Sequence, residues 1–255
     1  MGCVSPPAYP SRPAAQRLRH ARALAVWAWL AVSAEPATVR AEPHPPCHAS
    51  ARVDHLVCAT TPVPPPAAYG IHPLDAVHRA KMTGVSWHPG CPVALDALSL
   101  VTVPYLDPEG VPHAGEIIIG TQHAPALVAI FRELYESHFP IARMEPVDAF
   151  GGDDQRSMAA NNTSGFNCRP GHYANEWSQH ALANAVDLNP LWNPQLRDEW
   201  ISPPAGRAWM NRVDVRPGMA VRGGTAVTIF RSHGWRWGGR WPKPKDYQHF
   251  SASGR

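Results

Sequence analysis

Apolar and polar positions along the chain resolve into a small number of readable segments. Residues 98–105 (LSLVTVPY) are rich in β-branched and aromatic side chains, and residues 115–120 (GEIIIG) form a second such run. Asp107-Pro108-Glu109-Gly110 lies between them, so the pair predicts two strands joined by a turn. Over residues 124–138 the apolar side chains Leu127, Ile130, Phe131, Leu134 and Tyr135 recur at i, i+3, i+4, i+7 and i+8. That spacing puts them on one face of a helix. Residues 141–150 read as another strand, and the polar stretch 151–170 as a loop. A short strand at 185–188 stops at Asn189-Pro190, and a Pro-containing insertion runs to about Gly218. Residues 225–233 predict a short helix ended by Gly234, and residues 235–250 finish in a strand. Strands come first in hairpins and helices are few, which predicts an α+β fold with a small antiparallel sheet.

The first third of the 255-residue chain reads differently. Arg17, Arg19 and Arg22 precede the apolar run ALAVWAWLAVSA, residues 23–34. Twelve residues are too few for a membrane span, which needs about 20, but suit the core of a signal peptide. Residues 1–41 are therefore expected to be a signal peptide, cleaved after Ala34 or Ala41. Residues 42–90, rich in Pro and Ala, are expected to be an extended spacer, and the compact domain to occupy residues 91–255. Asp75-Ala76-Val77-His78 within that spacer reads as a surface helix turn. The basic excess belongs to the leader: of 23 basic and 20 acidic residues, Arg12, Arg17, Arg19 and Arg22 precede residue 34 and no acid does. Setting them aside leaves 19 basic against 20 acidic, so the charge gives no nucleic-acid footprint.

Removing the leader also removes Cys3, and Cys47, Cys58, Cys91 and Cys168 remain. An exported chain permits two disulfides among them. Nearness in the chain favours Cys47 with Cys58, which leaves Cys91 for Cys168.

Fourteen histidines invite a search for metal ligands. His180 is followed by Asp187 seven residues on, and Asp246-Tyr247-Gln248-His249 lies near the C-terminus. Two imidazoles and a carboxylate with water in the fourth position make a catalytic zinc site, and a further carboxylate beside that water makes its base. Spacing alone is weak evidence, since chance supplies about 0.6 His-x6-Asp pairs at this composition. The sequence context is far more specific. Residues 161–169 (NNTSGFNCR), 178–190 (SQHALANAVDLNP), GWRWGGRW and DYQHF occur in that order.

These blocks resemble the bacterial zinc peptidases of peptidoglycan, a family that includes D-alanyl-D-alanine carboxypeptidases and L-alanyl-D-glutamate endopeptidases. The resemblance runs from about Gly90 to Phe250. It implies a D,D-peptidase/Hedgehog-like fold with the zinc site on the sheet. It also implies His180, Asp187 and His249 as zinc ligands, Asp246 as catalytic base, and Arg169 as a contact to substrate or the developing oxyanion. Ala183 stands where the motif usually has Gly, and a positive φ there would cost about 1–2 kcal/mol. Ser178 is open to either a role near the metal or a turn cap. Trp235, Trp237 and Trp241 are expected to pack, and His172 and His233 to play ordinary surface roles.

The expectation is a secreted, zinc-dependent metallopeptidase, monomeric, acting on peptidoglycan stem peptides as a D-Ala-D-Ala carboxypeptidase. An L-Ala-D-Glu endopeptidase and a non-catalytic wall-binding relative are the alternatives. No nucleic acid partner and no membrane span after leader removal are expected.

Overall fold

The computed structural model describes residues 68–171 and 175–255. The signal peptide with its two cleavage positions, the spacer up to residue 67, the Cys47–Cys58 pairing and His172 lie outside the described residues. Among the described residues no helix is long and apolar enough to cross a membrane.

The described chain is α+β, with small, mainly antiparallel sheets and few helices. Its central sheet is a meander of β1 (Gly70–Pro73), β2 (Leu98–Leu106) and β3 (Pro112–Gly120). The β2–β3 pairing runs from Leu98 opposite Gly120 to Leu106 opposite Pro112. Side chains alternate across a strand, and here the alternation divides two cores. Val101, Val103, Ile117 and Ile119 face helix α2 (Ala124–Glu136), whose Leu127, Ile130, Phe131 and Leu134 are fully buried. Leu98, Leu100 and Ile118 face the other way, onto Phe166 and Cys168. A sheet covered on both faces explains why LSLVTVPY reads as a near-continuous apolar run. Each of these buried side chains contributes about 1.5–3 kcal/mol.

Compact structure begins before Cys91. Strand β1 pairs with β2 from Gly70 opposite Thr102 to Pro73 opposite Ser99. Helix α1 (Ala76–Met82) is capped by Asp75, which accepts from the His78 amide at 2.8 Å, so the Asp75-x-x-His78 pair is a helix start. Leu74 and Met82 bury themselves in the second core. The expected spacer therefore gives way to folded chain near residue 70, where a few apolar side chains suffice to close the lower face of the sheet.

Two further expectations change. Only Arg143–Met144 of the run 141–150 is strand (β4), because Pro146 supplies no amide donor and Val147–Phe150 turns as a 3-10 helix. The polar stretch 151–170 carries α3 (Asp154–Ala159), whose Asp153 cap accepts from the Gln155 and Arg156 amides, and β5 (Asn162–Thr163), paired in parallel with β4.

Cys91 and Cys168 are bonded, with Cα atoms 5.9 Å apart. The Cys168 amide also donates to the Ser86 carbonyl at 2.9 Å. Closing a separation of 77 residues stabilises by about 4–5 kcal/mol on chain-entropy grounds. Denaturant unfolding with and without reductant is expected to differ by an amount of that order. Equal midpoints would show that the bridge constrains little.

Candidate metal centre

Local sequence sets up the site in three steps. Residues 178–183 form a tight turn in which the Ala183 amide donates to the His180 carbonyl at 3.1 Å. Ala183 closes it at φ 55°, the left-handed conformation that Gly tolerates best, and its buried methyl joins the second core. Ser178 Oγ accepts from the His180 amide at 3.2 Å, which makes Ser178 a turn cap. The chain then enters β6 (Ala185–Asp187). Strand β11 (His249–Ser251) pairs antiparallel with β6, and the register sets His249 opposite Asp187. On its far side β11 pairs with β9 (Arg236–Trp237).

His180, Asp187 and His249 therefore converge, although 69 residues separate the two histidines. His180 Nε2 lies 3.2 Å from His249 Nδ1 and 3.3 Å from Asp187 Oδ2. His249 Nδ1 lies 3.2 Å from Asp187 Oδ1. The outer ring nitrogens face main-chain oxygens: His180 Nδ1 to Gly165 at 2.7 Å, His249 Nε2 to Arg255 at 3.0 Å. A carbonyl oxygen only accepts, so each outer nitrogen carries the proton and donates. In the neutral rings the inner nitrogens are then lone pairs pointed at each other and at a carboxylate.

Three acceptors packed this closely suit a positive charge between them, either a metal ion or a proton on an imidazole; burial works to lower His249, but the Asp187 carboxylate outweighs it and raises the ring above its ordinary range. Donors about 2.0–2.1 Å from a tetrahedral ion stand about 3.3–3.4 Å apart, and the observed separations of 3.2 and 3.3 Å are compatible with that. The set could hold a metal, and its outer nitrogens already have the partners that orient metal-binding imidazoles.

Gly165 makes one of those partners possible. A Cβ there would collide with the Ile118 carbonyl of β3, so only glycine lets this segment lie on the sheet and present its carbonyl to His180. Gly238 has a similar place, since a Cβ would fall 2.8 Å from the Asp246 carbonyl and 3.3 Å from the His249 Cβ.

Electrostatics divides the two carboxylates. Burial works to raise Asp187, but the charges and hydrogen bonds of His180 and His249 outweigh it and hold this carboxyl far below its ordinary range. Burial raises Asp246, and the neighbouring Asp187 charge adds to it. Asp246 lies on β10 (Lys245–Asp246), which pairs with β7 (Gln195–Arg197); β7 in turn pairs with β8 (Trp200–Ser202). Gln195 Nε2 donates to Asp246 Oδ2 at 2.6 Å, while Oδ1 is buried without a hydrogen-bond partner among the described residues. Such an oxygen calls for an explanation.

His180, Asp187, His249, Asp246 and Gln195 line one cleft of about 410 Å³. Arg169 lines it too, 32% exposed and ion-paired with Asp154, which also accepts from Asn167 at 2.6 Å. Trp241 packs over His249 with ring centroids 5.3 Å apart, whereas Trp235 and Trp237 are buried in the first core. His233 pairs with Glu133 at 2.7 Å, away from the site. Gln195, Asp154 and the main-chain oxygens of Gly165 and Arg255 escape sequence reasoning. Gln195 sits in an insertion with no motif, and a main-chain oxygen carries no residue signature.

A family model described as D-alanyl-D-alanine carboxypeptidase matches residues 172–252. The match bears out the resemblance to the peptidoglycan peptidases over the segment that contains His180, Asp187, Asp246 and His249. Arg169 lies just outside it. No curated protein and no solved structure matches the chain.

Proposed function

We propose that this chain, whose residues 172–252 match the D-alanyl-D-alanine carboxypeptidase family model, is a secreted zinc metallopeptidase with a D,D-peptidase fold. Its reaction is removal of the terminal D-Ala from peptidoglycan stem peptides. The observation that carries the reading is the triangle of inward-facing acceptors at 3.2–3.3 Å, with both outer nitrogens donating to main-chain oxygens.

His180 Nε2, Asp187 and His249 Nδ1 would hold the metal. When bound, zinc supplies a Lewis acid and a water acidified towards a pKa of about 7. Asp246 is the base: its unpartnered Oδ1 takes the proton of the attacking water and then passes it to the departing amine. Gln195 holds the other oxygen, so the carboxylate keeps one orientation through both transfers. Arg169, oriented by Asp154, offers its guanidinium to the substrate carboxylate or to the oxyanion. The turn at Ala183 and the β6–β11 register fix the three ligand donors before substrate arrives.

Product mass tests the reading. Zinc-loaded protein incubated with a stem pentapeptide is expected to release free D-Ala, and chelation is expected to stop it. A fragment ending in L-Ala would identify the L-Ala-D-Glu endopeptidase instead. An intact pentapeptide would remove the peptidase reading and leave a wall-binding relative.

A further inference from the structure

A second groove, of about 500 Å³, adjoins the catalytic cleft and shares Trp241, Pro242 and Gly254 with it. Its remaining wall carries Arg231 from α4 (Thr225–Ser232), Arg236 from β9, and Arg240 from the turn Gly238–Arg240. All three arginines are exposed, and none has a hydrogen-bond or ion-pair partner among the described residues. Some other cationic side chains are ion-paired, as Arg79 is with Asp96, Arg143 with Glu145 and Arg169 with Asp154. Three unpaired guanidiniums around one concavity make a positive site without an internal anion.

The groove is also held rigid. Trp237 Nε1 donates to the Tyr247 carbonyl at 2.8 Å, and Trp241 Nε1 to the Gly254 carbonyl at 3.1 Å. Arg236 lies across Gly254 at the junction of groove and cleft. Gly254 adopts φ 85°, and a Cβ there would press on the Arg236 side chain, 3.2 Å from its Nη1. Trp241 faces His249 on one side and the groove on the other. A ligand in the groove therefore continues into the cleft past a single indole.

We propose that this groove is an extended substrate subsite, in which Arg231, Arg236 and Arg240 bind a free carboxylate of the stem peptide remote from the scissile bond. Guanidinium matches carboxylate geometry two bonds at a time. The consequence is selectivity for the acidic form of the peptide over the form in which that carboxyl is amidated. The inference rests on the peptidase reading above.

The test compares two synthetic stem pentapeptides, identical except that the D-glutamate α-carboxyl is free in one and amidated in the other. Wild-type protein is expected to favour the acid form about tenfold in kcat/KM, mostly through KM, as for one partly solvated charge-assisted contact. Arg236→Gln and Arg240→Gln are each expected to shrink that ratio, and the triple variant with Arg231→Gln to bring it to about one. The preference should also fade with added salt. Cleavage of both peptides with equal kcat/KM by wild type and triple variant would overturn the subsite and leave the peptidase intact. No cleavage of either would instead strike the peptidase reading. In that case binding of the uncleaved acid peptide, followed by tryptophan fluorescence, still decides the groove: affinity unchanged in the triple variant overturns it. Tighter binding of a poly(glycerol phosphate) chain, lost in the same variants, would reassign the groove to a phosphodiester polymer and also overturn the proposal.

Discussion

His180→Ala, Asp187→Ala and His249→Ala are each expected to yield protein without bound zinc, where wild type is expected to carry one ion per chain. Removing a partner of a ligand costs about 10–100-fold in metal affinity, and removing one of three ligands costs more. The fold should survive, because the strands that carry these residues are held by main-chain bonds. Asp187 exchanges both main-chain bonds with Ser164, at 2.9 and 3.1 Å, and none of them needs its carboxylate. Truncation of either histidine leaves the buried Asp187 carboxylate short of a partner, so the apo variants should lose some stability but keep a cooperative unfolding transition. Elemental analysis after dialysis, alongside unfolding curves, reads both quantities. One zinc retained in His180→Ala would break the ligand assignment. Loss of zinc together with loss of the near-native unfolding transition would mean that the residues hold the fold itself.

How much of this was legible beforehand depended on the kind of signal. Helix α2 and the β2–β3 hairpin were readable because their apolar positions repeat at periods that backbone geometry enforces. The end of α4 was readable for a local reason: Gly234 follows it at φ 82°. Residues 141–170 were misread, since short strands and capped turns there depend on partners far along the chain. Asn162, for example, receives the Glu145 amide and donates to its carbonyl, which joins β4 to β5. Candidate site residues were readable only as an ordered set of blocks. His180 and Asp187 are seven apart, but what brings His249 to them is the β6–β11 register, a relation across 62 residues. The strain anticipated at Ala183 is present as a positive φ, and burial of its methyl in the second core offsets part of the cost. The main-chain oxygens of Gly165 and Arg255 were invisible because any residue supplies one. What singles out Gly165 is the close approach to Ile118, known only from the fold.

Asp246→Asn is expected to keep zinc and lose turnover, with kcat falling about 10²–10⁴-fold, the usual contribution of a positioned general base. Asp246 is not one of the inward-facing ligand donors, so the metal set stays complete. Asn preserves the shape, and its carbonyl oxygen can still accept from Gln195 Nε2 where Asp246 Oδ2 now does at 2.6 Å. The amide nitrogen then replaces Oδ1, the buried oxygen that has no partner among the described residues. An acceptor becomes a donor at the one position where a proton must be received. The loss should therefore fall on kcat rather than on KM or on zinc content. Gly238 supports the same separation: its backbone packs against Asp246 and His249 through main-chain and Cβ atoms that the substitution leaves alone. Steady-state kinetics on the stem pentapeptide, with metal content measured on the same sample, checks both halves. Near-normal kcat in a zinc-loaded Asp246→Asn protein would remove this carboxylate from the proton path. Low kcat accompanied by lost zinc would instead move Asp246 into the metal-holding set.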